Sequence, residues 1–260
     1  MSSHNLAEIL NATAVLIGSS KFPRDHDLLP PLRGVVANVI DFERILLDPQ
    51  LVGMDTDLVH RILDEEIPHV VSERFAELAA GETDALLLYY AGHGIVSDSH
   101  KLLLAVPQST FRHASSNSLH WEQIQESIRN SPAKHKIVIL DCCYSGLAMS
   151  PTMGTDVLRH RLETAGTVVI TASPKNEPAL APAKARRTAF TDAFLSTIED
   201  GIVNAGPTLS VREIFEECKR RMRLEGAPEP EIYEHGNVGS VPLCRNVTDL
   251  RNVPSGVSNR

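Results

Sequence analysis

The chain has 260 residues, of which 42% are hydrophobic and 22% charged, with 15 glycines and 16 prolines. This is ordinary globular chemistry, and it excludes disordered, collagen-like and disulfide-miniprotein classes. A formal net charge of −8 argues against a general nucleic-acid binder, and no apolar run approaches the ~20 residues that a membrane-spanning helix needs.

The expected elements alternate between strand and helix. Residues 13–18 (TAVLIG) read as a buried strand, and 34–47 as a helix with Val35, Val39, Phe42, Ile45 and Leu46 on one face. A strand is expected at 57–63, then a helix at 70–80 carrying Val70, Phe75, Leu78 and Ala79 inward. Residues 84–90 (DALLLYY) form a strong central strand, and 102–106 a short one stopped by Pro107. A helix follows at 118–130, with Trp121, Ile124 and Ile128 on one side and Ser131-Pro132 as its stop. Strands at 136–141 (KIVILD) and 167–172 (TVVITA) come next, then helices at 188–200 and 210–225, and a last strand at 239–244. The helix at 210 opens with a capping-box pattern, Ser210 to Glu213. Residues 107–117, 147–165 and 174–187 read as loops. Continuously apolar strands are those covered on both faces. The fold class is therefore α/β: about six strands, mostly parallel, flanked by helices on both faces. One domain spans 12–246, with a short segment before it and a flexible tail at 247–260.

Four cysteines stand at 142, 143, 218 and 244, in no zinc-site spacing, and such thiols fit a reducing compartment. The opening MSSHNLAEIL lacks a basic segment followed by an apolar one, so the expected location is the cytoplasm. Reactive groups in open parallel sheets collect at the carboxyl ends of strands. Here DALLLYY runs into Ala91-Gly92-His93-Gly94, and KIVIL runs into Asp141-Cys142-Cys143-Tyr144-Ser145-Gly146. A thiol needs a nearby imidazole to take its proton or to stabilise the thiolate. Glycines let backbone N–H groups approach a reacting carbonyl, so the N–H groups of Gly94 and Cys143 are the expected oxyanion donors.

YAGHG followed by ILDCCYSG resembles the caspase-like peptidases, the clan of caspases, metacaspases and bacterial relatives. Fifty residues separate His93 from Cys143, against about 50 in caspases. LIGSSKF at 16–22, LRGVVANVIDFERIL at 32–46, TAFTDAFLSTIEDG at 188–201 and SVPLCRN at 240–246 resemble further landmarks in the expected order. The resemblance implies the caspase-like fold and a cysteine endopeptidase, with His93 as general acid/base. Its Asp-x-Cys-x-x-Gly pattern makes Cys143 the nucleophile and leaves Cys142 as a small buried residue.

The same resemblance addresses the substrate. The position that carries an arginine in Asp-cutting caspases is Leu32 here, with Arg33 one place off. The two pocket acids of metacaspases match Asp141 and Asn38, so one acid is retained, and cleavage after Arg, or Lys, is expected. Arg159 and Arg161 are candidate processing sites, with Lys184, Arg186 and Arg187 as a second cluster. The 219–223 basic run reads as an exposed paired face through Glu216–Arg220 and Glu217–Arg221. No metal or other cofactor is expected. The implied partners are protein substrates and a regulatory protein or activating protease, with no nucleic acid and no membrane; the residues leave monomer or homodimer open. The implied setting is regulated cell death or antiviral defence, and the zymogen state would be relieved by nicking. Two other readings are a catalytically silent adaptor of the same fold and a redox or other acyl-transfer use of Cys143.

Overall fold

Every residue of the segment Ala85–Ala91 is buried, because helices cover it on both sides. A computed structural model describes residues 6–142, 144–145, 166–172 and 185–248. In chain order the first elements are α1 (Ala7–Leu10), β1 (Ala12–Gly18), α2 (Gly34–Leu47), β2 (Val59–Leu63), α3 (Pro68–Ala79) and β3 (Ala85–Ala91). Then come β4 (Gly94–Val96), β5 (Leu102–Leu104), α4 (Ala114–Asn117), β6 (Leu119–His120), α5 (Trp121–Asn130) and β7 (His135–Asp141). The rest are β8 (Tyr144–Ser145), β9 (Thr167–Thr171), α6 (Ala189–Asp200), β10 (Thr208–Ser210), α7 (Val211–Leu224), β11 (Glu231–His235) and β12 (Pro242–Arg245).

The main sheet has six strands in the order β11-β9-β7-β3-β1-β2. All its pairings are parallel except β11 with β9. Strand alternation divides its apolar residues between two cores. Leu16, Leu87, Tyr89, Ile139 and Ile170 pack with α2, α6 and α7. Val15, Leu88, Tyr90, Val138 and Leu140 pack with α3 and α5 on the other face. A smaller sheet, β6-β5-β4-β8, stands at the carboxyl edge. It begins with the residues that follow β3 and ends with those that follow β7.

The expected fold class is observed, with local corrections. In α3 it is Val71, not Val70, that is buried with Phe75 and Ala79. Residues 107–117 include a 3-10 turn at Phe111–His113 and the short α4. The last expected strand starts later, at Pro242, after a 3-10 turn. Strand β11 is an addition to the expected elements: Glu231, Glu234 and His235 leave it only the adjacent Ile232 and Tyr233 as apolar residues, too few to show a strand pattern. The capping box at Ser210 and Glu213 is present. In the basic run, Glu217 pairs with both Arg220 and Arg221, at i,i+3 and i,i+4, and the expected Glu216–Arg220 contact is replaced. Of the expected loops, residues 146–165 and 173–184 lie outside the described residues, as do 249–260 of the expected tail.

Candidate active site

Strands β3 and β7 are direct neighbours, with Ala91 opposite Asp141. Their exits therefore leave the same edge side by side, and the Gly92 amide donates to the Asp141 carbonyl at 3.3 Å. The turn at Gly92 admits no side chain, because a Cβ there would lie 2.4 Å from the Tyr90 hydroxyl oxygen. That hydroxyl lies 3.0 Å from the His93 carbonyl and 2.8 Å from the Ala105 carbonyl, and shares its one proton between them. The Ala105 amide also donates to the His93 carbonyl, at 2.9 Å. The backbone of His93 is thus pinned from two directions.

The ring of His93 is oriented by a loop that precedes α2. Its Nε2 lies 2.7 Å from the Pro30 carbonyl oxygen. A carbonyl only accepts, so Nε2 carries the proton and Nδ1 keeps the lone pair. Phe22 packs on the imidazole with centroids 4.8 Å apart. Burial lowers the pKa of His93 below its ordinary 6.5, and the Pro30 carbonyl opposes this by favouring the cation. At neutral pH the ring is a neutral base. The loop is braced at two points. Ser20 donates through its amide and hydroxyl to Asp64, at 2.6 and 2.8 Å, and the Phe111 amide donates to Asp25 at 2.8 Å.

Cys143 lies outside the described residues, as do Gly146, Arg159 and Arg161. The chain on either side of residue 143 is described. Cys142 is 2% exposed, and Tyr144 pairs with Gly94, the residue after His93. Cys142, Cys218 and Cys244 are buried. Burial pushes the Cys244 thiol up to about 12 and raises Cys218 as well, which makes both poor nucleophiles.

Asp141 ends β7 inside a cage of donors. Its Oδ2 accepts from Thr188 Oγ1 at 2.5 Å, Thr191 Oγ1 at 2.6 Å, Asn38 Nδ2 at 3.1 Å and the Tyr89 hydroxyl at 3.5 Å. All these contacts fall on Oδ2, and Oδ1 takes none among the described residues. Burial raises the Asp141 carboxyl above its usual value, and the bonds from Thr188, Thr191 and Tyr89 pull it back. Asn38 is fully buried, and its amide is committed to Asp141 and Thr188.

The structure therefore brings His93, Gly94, Asp141 and Asn38 to one edge. Pro30, Phe22, Tyr90, Thr188 and Thr191 also build the site, and sequence reading passed over them. Thr188 and Thr191 do sit in the quoted 188–201 landmark, which was their one signal. Arg187, expected as part of a cleavage cluster, is instead buried in ion pairs with Asp41 and Glu199. Lys184 lies outside the described residues. Among the described residues no group of three or more His, Cys, Asp or Glu side chains is arranged to hold a metal, and no helix is long and apolar enough to cross a membrane.

A family model described as the caspase domain matches residues 11–241. The fold is similar to caspase-1 from Spodoptera frugiperda, with a TM-score of 0.63, 12% identity and coverage of 89% of each chain. At that identity the likeness concerns the fold alone. No curated protein matches by sequence.

Proposed function

The chain belongs to the caspase domain family, and from that premise we propose that it is a cysteine endopeptidase in which Cys143 attacks the scissile carbonyl while His93 manages the proton. His93 Nδ1 takes the thiol proton as the sulfur–carbon bond forms. The N–H groups of Gly94 and Cys143 receive the resulting oxyanion. The imidazolium then protonates the leaving amine, the carbon–nitrogen bond breaks, and a thioester remains. Water hydrolyses that thioester, with His93 accepting its proton, and the thiol is returned.

Asp141 receives the basic side chain that precedes the cut. A carboxylate makes a charge-assisted bond with an ammonium as well as with a guanidinium, so lysine is admitted beside arginine. Asn38 props Asp141 from beneath instead of touching substrate. The substrates are proteins, and Arg159 and Arg161 are sites at which the chain is itself nicked by a copy or by an activating protease. Control of this kind, with a regulatory partner, suits regulated cell death or antiviral defence in the cytoplasm.

One observation carries the reading. A proton-accepting Nδ1 and a buried carboxylate stand at the ends of paired strands, and the Gly94–Tyr144 pairing returns the chain beside residue 143 to the residue after His93. The test is a set of peptides differing only at the residue before the cut: Arg, Lys, Asp and Ala. Cleavage of the Arg and Lys peptides, lost in Cys143→Ala, is expected. Cleavage of the Asp peptide alone, or activity surviving in Cys143→Ala, overturns the proposal. No cleavage of any peptide, before and after nicking within 147–165, favours the silent adaptor.

A further inference from the structure

Gly34, Asn38 and Asp41 follow one another at spacings of four and three, so they share one face of α2. All three meet the same short stretch, Arg186 to Thr188. A Cβ at Gly34 would come within 3.0 Å of the Thr188 nitrogen and 3.1 Å of the Arg187 carbonyl carbon, so glycine lets the stretch settle on the helix. Asn38 Oδ1 accepts the Thr188 amide at 3.1 Å, and Asn38 Nδ2 donates to Thr188 Oγ1 at 2.8 Å. Asp41 makes the charged contacts. Arg186 grips it through Nε at 3.0 Å and Nη2 at 2.7 Å, and Arg187 through Nε at 2.7 Å. Arg187 continues to Glu199 on α6, at 3.1 and 3.4 Å, and Arg44 of α2 closes the ring on the same carboxylate.

The Asp41 side chain is only 5% exposed. A carboxylate so placed stays charged because the two guanidiniums compensate its lost hydration, and they hold its pKa at about 2. The proposed chemistry uses none of this cluster. Yet the stretch it pins supplies Thr188, whose hydroxyl makes the shortest bond to Asp141. A drift of about 1 Å removes a bond of that length.

We propose that Asp41 is a positioning residue for substrate selection: by gripping Arg186 and Arg187 it holds Thr188 against Asp141 and so fixes the carboxylate that receives a basic side chain. The inference rests on Asp141 being the specificity acid.

The test compares the full chain with Asp41→Asn, Asp41→Glu and Arg186→Gln. The readouts are kcat and KM on arginyl and lysyl peptides, hydrogen exchange at the Thr188 amide, and melting temperature. In Asp41→Asn, KM rises about tenfold or more while kcat stays within about threefold. Thr188 exchange becomes at least about tenfold faster. Asp41→Glu recovers part of the KM. Arg186→Gln moves KM and exchange in the same direction by less; its side chain is 69% exposed, and its loss leaves Asp41 paired with Arg187, so it carries the test if Asp41→Asn does not fold. A lowered melting temperature with KM and Thr188 exchange unchanged overturns the proposal and leaves Asp41 a stability residue. A wild-type chain that cleaves other peptides but no basic ones defeats the reading of Asp141, and the substrate-selection role falls with it. Unchanged Thr188 exchange defeats the clamp separately.

Discussion

The ends of β3 and β7 lie side by side, yet they are held in opposite ways. Asp141 has one oxygen surrounded by donors from α2, β3, α6 and the residue that precedes α6. Among the described residues, His93 has its ring held by a single carbonyl and one aromatic neighbour. The difference follows from what each group must do. A buried carboxylate loses its hydration and needs several donors to remain an anion. A base needs one nitrogen fixed and the other left free. Under the proposed function the saturated end serves recognition and the tethered end proton transfer.

That contrast can be broken at either end. His93→Ala removes the proton carrier, and a fall in kcat on the order of 10³-fold is expected for every peptide, whatever residue precedes the cut. Asp141→Asn removes the charge at the saturated end. There kcat/KM falls about 10²-fold for arginyl and lysyl peptides, a loss within the 2–5 kcal/mol typical of an unpaired buried charge, and alanyl peptides are spared. An equal loss on all peptides would erase the distinction between the two ends.

The pH profile sharpens it. His93 is shifted below 6.5, so its neutral form persists to lower pH, and the acid limb of kcat/KM falls below the ordinary imidazole range. Replacing Phe22 with Ala exposes the ring and moves that limb upward. The smallest effect concerns stability. The Asp41 carboxyl lies at about 2 when folded, against an ordinary 3.8. Its pairing therefore contributes fully above pH 3.8 and is lost as pH falls through about 2. The contribution is about 2 kcal/mol by linkage. Melting curves of wild type and Asp41→Asn should differ near neutrality and converge toward pH 2.

The strands were legible because they are buried on both faces, so their apolar runs are unbroken. His93 and Asp141 were legible because each ends such a run. Their supports were not. Pro30 lies 63 residues from His93, and Thr188 lies 47 from Asp141. Both are common residue types in irregular segments, so only tertiary contact gives them meaning. Arg187 read as part of a cleavable cluster because its partner Asp41 is 146 residues away. The misplaced phase of α3 has a local cause: with Val70 and Val71 adjacent, the sequence pattern fits either one facing inward.

The central claim is that His93 serves the thiol of Cys143, and covalent labelling tests it directly. The full chain, nicked within 147–165, is treated with an arginyl peptide bearing a thiol-reactive ketone and then mapped by mass spectrometry. The account predicts one adduct, on Cys143, formed much more slowly in His93→Ala. An adduct on Cys142, Cys218 or Cys244 instead, or a Cys143 adduct formed equally fast without the imidazole, would contradict it.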